Sequence, residues 1–482
     1  MKKLTVIFII LLLSQAAFTQ SSSDVLRYSR IYYSGTARFV GIGGAFGALG
    51  ADFSALAVNP AGIGLYQGSE FSMTIAPSVE GVRTDYLGQM GSNNQVNVGM
   101  GNMGFVFTVK PQSGTTGPFR NFNVAFGMNR QNDFNSSFSV SGPNHSSSLL
   151  NVYNDKLNNN QGALPSDYPF DIGPAYDASL IYYDSVARKY TSDQPHGGAW
   201  QSKQVNTYGS INEFDITLGG NISDKLYFGI TFGVPFIRYY ENSTYSEKDY
   251  GDSIPYFKSM YYDYHLETHG TGFVIKGGVI YRPVNWVRIG VAIHSPTWYP
   301  SMHDHWYSST SAHYDSILLD NTQNSPVGDY NYYMRTPFRA IGSLAFIIGK
   351  YGLVSAEYEY VNYSQGKLNA SGYSFTKEND EVKSNFQSWG NIRLGTEWRI
   401  ADFRLRAGGA YYSNPYTTPG INGARYTISG GVGYRMKYFY ADVTYQWAQS
   451  KEQYYLYNYP GMLPSTNTYT TSTVLTTIGF RF

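Results

Sequence analysis

The sequence predicts an all-β fold: a transmembrane antiparallel β-barrel of about fourteen strands, with an N-terminal hatch, or plug, inside its lumen. Three observations predict it. Apolar and polar residues alternate with period two in segment after segment. The connections between those segments alternate between long and short. The composition is 14% charged, against about 25% for an ordinary globular domain. It is also rich in Tyr (46), Phe (28) and Gly (51), as suits a wall with lipid on one side, a polar lumen on the other and aromatics at both interfaces.

The first residues set the compartment. Lys2 and Lys3 form a positive start, Leu4 to Leu13 an apolar run, and Ala16 and Ala17 lead to a cleavage point at Thr19-Gln20. This is the layout of a secretory signal peptide over residues 1–19. The run is too short for a spanning helix, which needs roughly 20 residues, and no later stretch reaches that length. With no Cys there is neither a lipid-modified thiol nor a disulfide, so stability is expected from a closed ladder of backbone hydrogen bonds. The mean hydropathy of −0.31 on its own resembles that of a soluble chain; the scarcity of charge separates the two classes. A net charge of +1 without a basic stripe argues against nucleic-acid binding.

Strands are expected near 68–82, 96–110, 119–142, 208–222, 225–245, 261–282, 285–298, 331–348, 351–362, 384–400, 402–412, 424–436, 438–449 and 470–482. In the fifth, Leu226, Phe228, Ile230, Phe232 and Val234 share one face, opposite Tyr227, Gly229, Thr231 and Gly233. In the seventh, Arg288, Gly290 and His294 oppose Val287, Ile289, Val291 and Ile293. Charges facing the bilayer centre cost several kcal/mol, so the polar faces are assigned to the lumen. Long loops are expected near 83–95, 143–207, 246–260, 299–330, 363–383, 413–423 and 450–469. Short turns at Ser223-Asp224, Pro283-Val284, Gly349-Lys350, Ala401-Asp402 and Lys437 would face the periplasm. The last strand carries Val474, Thr476, Ile478, Phe480 and Phe482 on one face and ends on an aromatic residue.

Residues 20–67, ahead of the barrel at 68–482, do not alternate. They are dense in small residues, including Gly41-Ile-Gly-Gly-Ala-Phe-Gly-Ala-Leu-Gly50, as suits a backbone folded compactly in a narrow lumen. The glycines lack GxGxxG spacing and a βαβ context, so no nucleotide loop is read here. A short helix over Phe46 to Val58 would end before Asn59-Pro60, because proline disfavours the α region at the residue before it. The segment Asp52-Phe-Ser-Ala-Leu-Ala-Val-Asn-Pro-Ala-Gly62 resembles the hatch signature of the FadL/TodX outer-membrane transport family. Its Asn-Pro-Ala motif falls on Asn59, Pro60 and Ala61. Phe126-Gly-Met-Asn-Arg-Gln-Asn-Asp-Phe134 and Gly278 to Thr297 are further local likenesses. The long loops at 143–207 and 299–330 depart from the simplest family pattern.

This resemblance implies passive uptake of hydrophobic small molecules, long-chain fatty acids or aromatic hydrocarbons. It also implies no cofactor and contact with outer-membrane lipid and lipopolysaccharide. It further implies a side exit at a kinked third strand, here with Gly127, Asn129, Arg130 and Asn132. Alternatively, that polar run lies above the membrane, since the segment exceeds the roughly 9–11 residues needed to span. Phe46, Leu49, Phe53, Leu56 and Val58 would form the apolar face of the hatch or plain packing against the wall. The rival reading is a barrel that transports nothing and serves as an accessory subunit of a larger outer-membrane protein complex, using Tyr-rich loops as contact surfaces. No catalytic arrangement stands out. Glu357 and Glu359 share a lumen face, and His303 and His305 fall in a predicted loop with no metal assigned.

Overall fold

The computed structural model describes residues 20–111, 117–192, 199–251, 254–315 and 321–482, so the expected signal peptide lies outside the described residues. Fourteen antiparallel strands form the wall. They are β1 (Glu70–Tyr86), β2 (Gln89–Val109), β3 (Phe119–Asp133, resuming as Ser136–Asn144), β4 (Ala199–Ile222), β5 (Leu226–Asp249), β6 (Phe257–Val284) and β7 (Val287–His294, resuming as Trp298–Tyr314). There follow β8 (Gly328–Arg335, resuming as Arg339–Ile348), β9 (Gly352–Asn362, resuming as Lys367–Asn369), β10 (Ser388–Ile400), β11 (Phe403–Tyr412), β12 (Arg425–Arg435), β13 (Phe439–Tyr454) and β14 (Ser465–Arg481). Each pairs with its sequence neighbour, and β14 pairs with β1 from Glu70↔Arg481 to Asp85↔Thr466, closing the ring. Closure removes the two edges that an open sheet would expose to lipid at β1 and β14.

The alternation predicts the faces correctly. Ile230, Phe232, Ile289, Val291, Val443 and Ile478 are exposed on the outside, while Thr231, His294, Asp442 and Thr477 are buried within. Aromatics mark both rims. Tyr281, Trp286, Tyr351, Phe403 and Tyr438 stand outward beside the short turns, and Phe236, Phe273, Tyr358, Trp389 and Tyr426 stand outward nearer the other end. An apolar belt between two aromatic girdles is the surface of an outer-membrane barrel.

Two expected loops are not loops. The segment 83–95 continues β1 and β2 to a tight turn at Leu87-Gly88, and among the described residues of 299–330 most extend β7 and β8, to Tyr314 and from Gly328. Period two persists there with polar outward residues, because the strands rise beyond the bilayer into water. The connection after β3 folds instead into helices Leu149–Asn159 and Ile172–Asp177. These pack with Tyr86, Tyr245, Met260, Leu456 and Met462 into a separate apolar cluster over the outer mouth. Buried Glu247 ties this cap down, accepting from Ser148 Oγ (2.7 Å) and Leu149 N (2.8 Å).

The N-terminal segment fills the lumen. Gln20 begins it near the outer end, donating to Asp304 on the β7 extension (2.5 Å). Helix α1 (Ser22–Ser29), helix α2 (Ala37–Gly41) and 3-10 turns at Phe53–Ala57 and Pro60–Leu65 follow. The single short helix expected over Phe46 to Val58 is therefore corrected to one 3-10 turn preceded by irregular chain. The reason is steric: Gly47 of that segment lies against the wall, where a β-carbon would come within 2.1 Å of Ser343 Oγ, and Gly50 is left-handed at φ +61°. A regular helix, whose radius is larger, cannot come this close.

Burial holds the Asp304 carboxyl up at about 6, against 3.8 in the unfolded chain. Between those values the folded state keeps a proton that the unfolded chain has lost. This contribution to stability is therefore present below about pH 4 and disappears as pH rises through 6. Comparing urea unfolding of the wild type with Asp304→Asn should show the wild type losing about 3 kcal/mol more over that interval; parallel profiles would contradict it.

Candidate functional site

Asn59, Pro60 and Ala61 form one fastening point. Asn59 caps the second 3-10 turn by accepting from Ala61 N (3.0 Å), and its amide donates to Gly47 O (2.6 Å). Pro60 occupies the first turn position, where its missing N–H is no loss. Ala61 packs against Tyr227 of β5 and Ile280 of β6. The motif thus ties two parts of the plug together and to the wall.

The five apolar plug residues do not share one face. Phe46, Leu49 and Val58 pack with Phe39, Ile341 and Leu353. Phe53 and Leu56 pack with Ile63, Val106 and Ala125 on the other side of the lumen. An irregular backbone sends side chains in divergent directions, and helical spacing does not apply to it. Phe53 lies flat on β2 and β3: a β-carbon on Gly104 would come within 2.2 Å of its ring.

Charge binds the plug elsewhere. Arg393 pairs with Glu357 (2.6 Å) and Glu359, and Arg339 also holds Glu359. Glu357 in turn accepts from Gly47 N of the plug (2.8 Å). Arg406 bridges Glu397 (2.8 Å) and Asp442 (2.7 Å), and Arg38 of the plug reaches the same Glu397 (3.0 Å). Lys276 pairs with Glu213 and donates to Ala57 O of the plug (3.3 Å). Glu357 and Glu359 are therefore anchoring groups, each neutralised by arginine. His303 and His305 lie on the β7 extension rather than in a loop, with Asn331 and Asp329 as partners.

The third strand is where the wall changes. Toward β4 it pairs along nearly its whole length. Toward β2 the ladder stops at Asn102↔Asn129. Beyond that point plug backbone takes over: Tyr32 N donates to Gln131 O (2.8 Å) and Ser34 N to Arg130 O (3.1 Å). Gln131 occupies a bulge between Arg130 and Asn132, and the strand breaks again after Asp133. Asn129 donates to Asp215 (3.1 Å), Arg130 pairs with Asp133 (3.0 Å), and Asn132 donates to Arg30 O of the plug (3.1 Å). Gly127 lies below the break, against Met103 O and Phe53. Side chains reach across the gap, as in Asn97 to Asp133 (2.9 Å) and Ser139 to Asn93 (2.7 Å), and Thr84 Oγ1 of β1 donates to Ser139 O (2.7 Å).

Beside the break lies a cavity of about 390 Å³ under the outer cap, lined by Leu26, Tyr32, Phe134, Phe138, Tyr239 and Tyr454, with Arg30 and Arg425. Tyr32 is sandwiched between those two guanidinium groups, at 5.4 and 4.6 Å from its ring centre. A second cavity of about 100 Å³ adjoins, with Gln95 and Asn97 of β2 and Arg130 of β3 in its lining. Glu80, Asp133, Glu241 and Glu452 also line the larger cavity, and Arg30 pairs with Glu452 (3.2 Å), so apolar walls with charges of both signs suit a greasy solute with a polar end.

No protein-family model and no curated protein sequence matches the chain. Solved structures do. A Pseudomonas aeruginosa FadL homologue superimposes with TM-score 0.55 at 12% identity, covering 94% of this chain and 100% of that one. The Pseudomonas putida toluene transporter TodX gives 0.52 at 11%, covering 94% and 100%. The Ralstonia pickettii toluene transporter TbuX gives 0.50 at 15%, covering 94% and 99%. The fold is that of the FadL/TodX-type barrels.

In this FadL/TodX-type barrel, sequence reasoning placed Gly127, Asn129, Arg130 and Asn132 on the strand that breaks, but it missed Tyr32 and Ser34. Their contribution is main-chain hydrogen bonding, which no residue type signals. It also missed the plug-binding roles of Arg393, Arg406 and Lys276, although alternating charges on lumen faces are visible in the sequence.

Arg393→Met should lower stability by about 3–5 kcal/mol, read from the loss of the heat-resistant form, because it strands buried carboxylates. Gly104→Ala should cost about 1–3 kcal/mol by overpacking Phe53. Adding Phe53→Ala should recover part of that loss; strictly additive losses would disprove the contact.

Proposed function

We propose that this barrel is an outer-membrane channel for passive uptake of hydrophobic small molecules, long-chain fatty acids or similar amphiphiles, which leave sideways between β2 and β3. The observation that carries the reading is the end of the β2–β3 ladder at Asn102↔Asn129 beside the amphipathic cavity. A greasy solute gains nothing from a water-filled pore, whereas an apolar pocket next to a wall opening delivers it to the bilayer. Counted along β2 from Val109, the ladder ends roughly 18 Å up a tilted strand, short of the ~25 Å apolar belt. The solved barrels of this shape include toluene transporters, which supports the reading.

In this mechanism the cap covers direct entry from above, and solute collects in the cavity around Tyr32. The plug backbone at Tyr32 and Ser34 holds the free edge of β3 inward. Movement of the plug, fastened through Asn59, Pro60 and Ala61, would change both that edge and the floor of the cavity. No step needs a cofactor or a bond-making residue.

The chain contains no Cys, so Asn97→Cys with Asp133→Cys provides a unique thiol pair across the gap. Joining the pair with a short cleavable cross-linker should abolish uptake of a fluorescent long-chain fatty acid into proteoliposomes, and cleavage should restore it. Undiminished uptake through the cross-linked barrel would rule out the side exit. Native mass spectrometry of the protein released gently from its membrane should show a bound fatty acid or similar hydrophobe. A stoichiometric protein complex without one would favour the accessory-subunit role instead.

A further inference from the structure

The outer face of the barrel carries a groove of about 560 Å³ that the transport reading does not use. It lies far around the wall from β2 and β3, where β7, β8 and β9 all break at one level. β7 breaks over residues 295–297, β8 over 336–338, and β9 before Lys367. Pro296 and Pro337 fall in the first two breaks, and Pro300 in a bulge just above. Loss of ladder continuity in three adjacent strands steps the wall inward and leaves a recess.

One register row crosses the recess: Phe273 of β6 opposite Trp298 of β7, Trp298 opposite Arg335 of β8, and Arg335 opposite Lys367 of β9. Phe273 and Trp298 stack with ring centres 5.2 Å apart, and Tyr333 stands one outward position further up. Arg335 and Lys367 are both exposed, and among the described residues no carboxylate pairs with either. Like charges directly opposite on one face destabilise a sheet, so this pair gains from an anion between them. The level is also decisive. Phe273 lies eight residues from Tyr281 at the opposite girdle, roughly 20 Å along a tilted strand, which sets it in the outer part of the ~25 Å apolar belt.

We infer that this groove binds a phosphorylated glycolipid of the outer leaflet. An acyl chain lies along Phe273 and Trp298, and its sugar phosphate sits between Arg335 and Lys367. The fork of the guanidinium matches two phosphate oxygens, and the lysine adds a point charge on a flexible apolar stem. Aromatic rings below and cations above reproduce the apolar-to-anionic order of the lipid itself.

The test compares wild type with an Arg335→Gln/Lys367→Gln double variant, both confirmed to retain the heat-resistant barrel. Each is delipidated in mild detergent and reloaded with bisphosphorylated lipid A, dephosphorylated lipid A or phosphatidylglycerol. Occupancy is read by native mass spectrometry. Wild type should retain one bisphosphorylated glycolipid, with occupancy roughly tenfold lower in the variant and for the dephosphorylated lipid. Equal occupancy in wild type and variant, or equal retention of phosphatidylglycerol by the wild type, would overturn the assignment.

Discussion

In a hydrocarbon environment every backbone N–H and C=O of the wall must find a partner within the protein. The pairing of β14 with β1 meets this requirement for the ring as a whole. It also makes any interruption informative. Where β3 parts from β2, the partners lost from the ladder are partly replaced by the main chain of the plug at Tyr32 and Ser34. The interruption of the β2–β3 ladder and the folding of the N-terminal segment are thus one structural fact. Either would leave unsatisfied polar groups without the other.

The lumen imposes the second constraint. Many wall residues that face inward are polar or charged, and a plug buried among them must neutralise what it covers. Arg38, Gly47 N and Ala57 O do this for Glu397, Glu357 and Lys276. A buried ion pair contributes little net stability compared with apolar packing, yet breaking one is costly. Such contacts therefore fix position more than they add strength. That suits a plug held in one register. The contacts of Gly43 with Gly409 and of Gly64 with Gly220 act in the same direction, since they bring backbone to backbone with no interlocking side chains.

Strand length separates the bilayer from what rises above it. Only about ten residues of each tilted strand are needed to cross, yet β6 runs from Phe257 to Val284. The excess carries the cap and the outer walls of the cavity. The proline-marked breaks in β7 and β8 fall where the chain passes from lipid to water, and the recess there follows from that change of surroundings.

The sequence by itself determined the fold class, the fourteen strands, which face of each meets lipid, and the place of the N-terminal segment. These depend on period two and on turn chemistry, both local properties. Asn59-Pro60-Ala61 was legible as a motif, and Gly127 to Asn132 as an anomaly within a strand. Only the tertiary structure decided that Phe46 and Phe53 face opposite walls, that 299–314 forms strand, and that Tyr32 and Ser34 bond to the free edge of β3. It alone set Arg335 opposite Lys367. These outcomes depend on register between distant segments and on main-chain groups that every residue carries alike, so no local pattern could announce them.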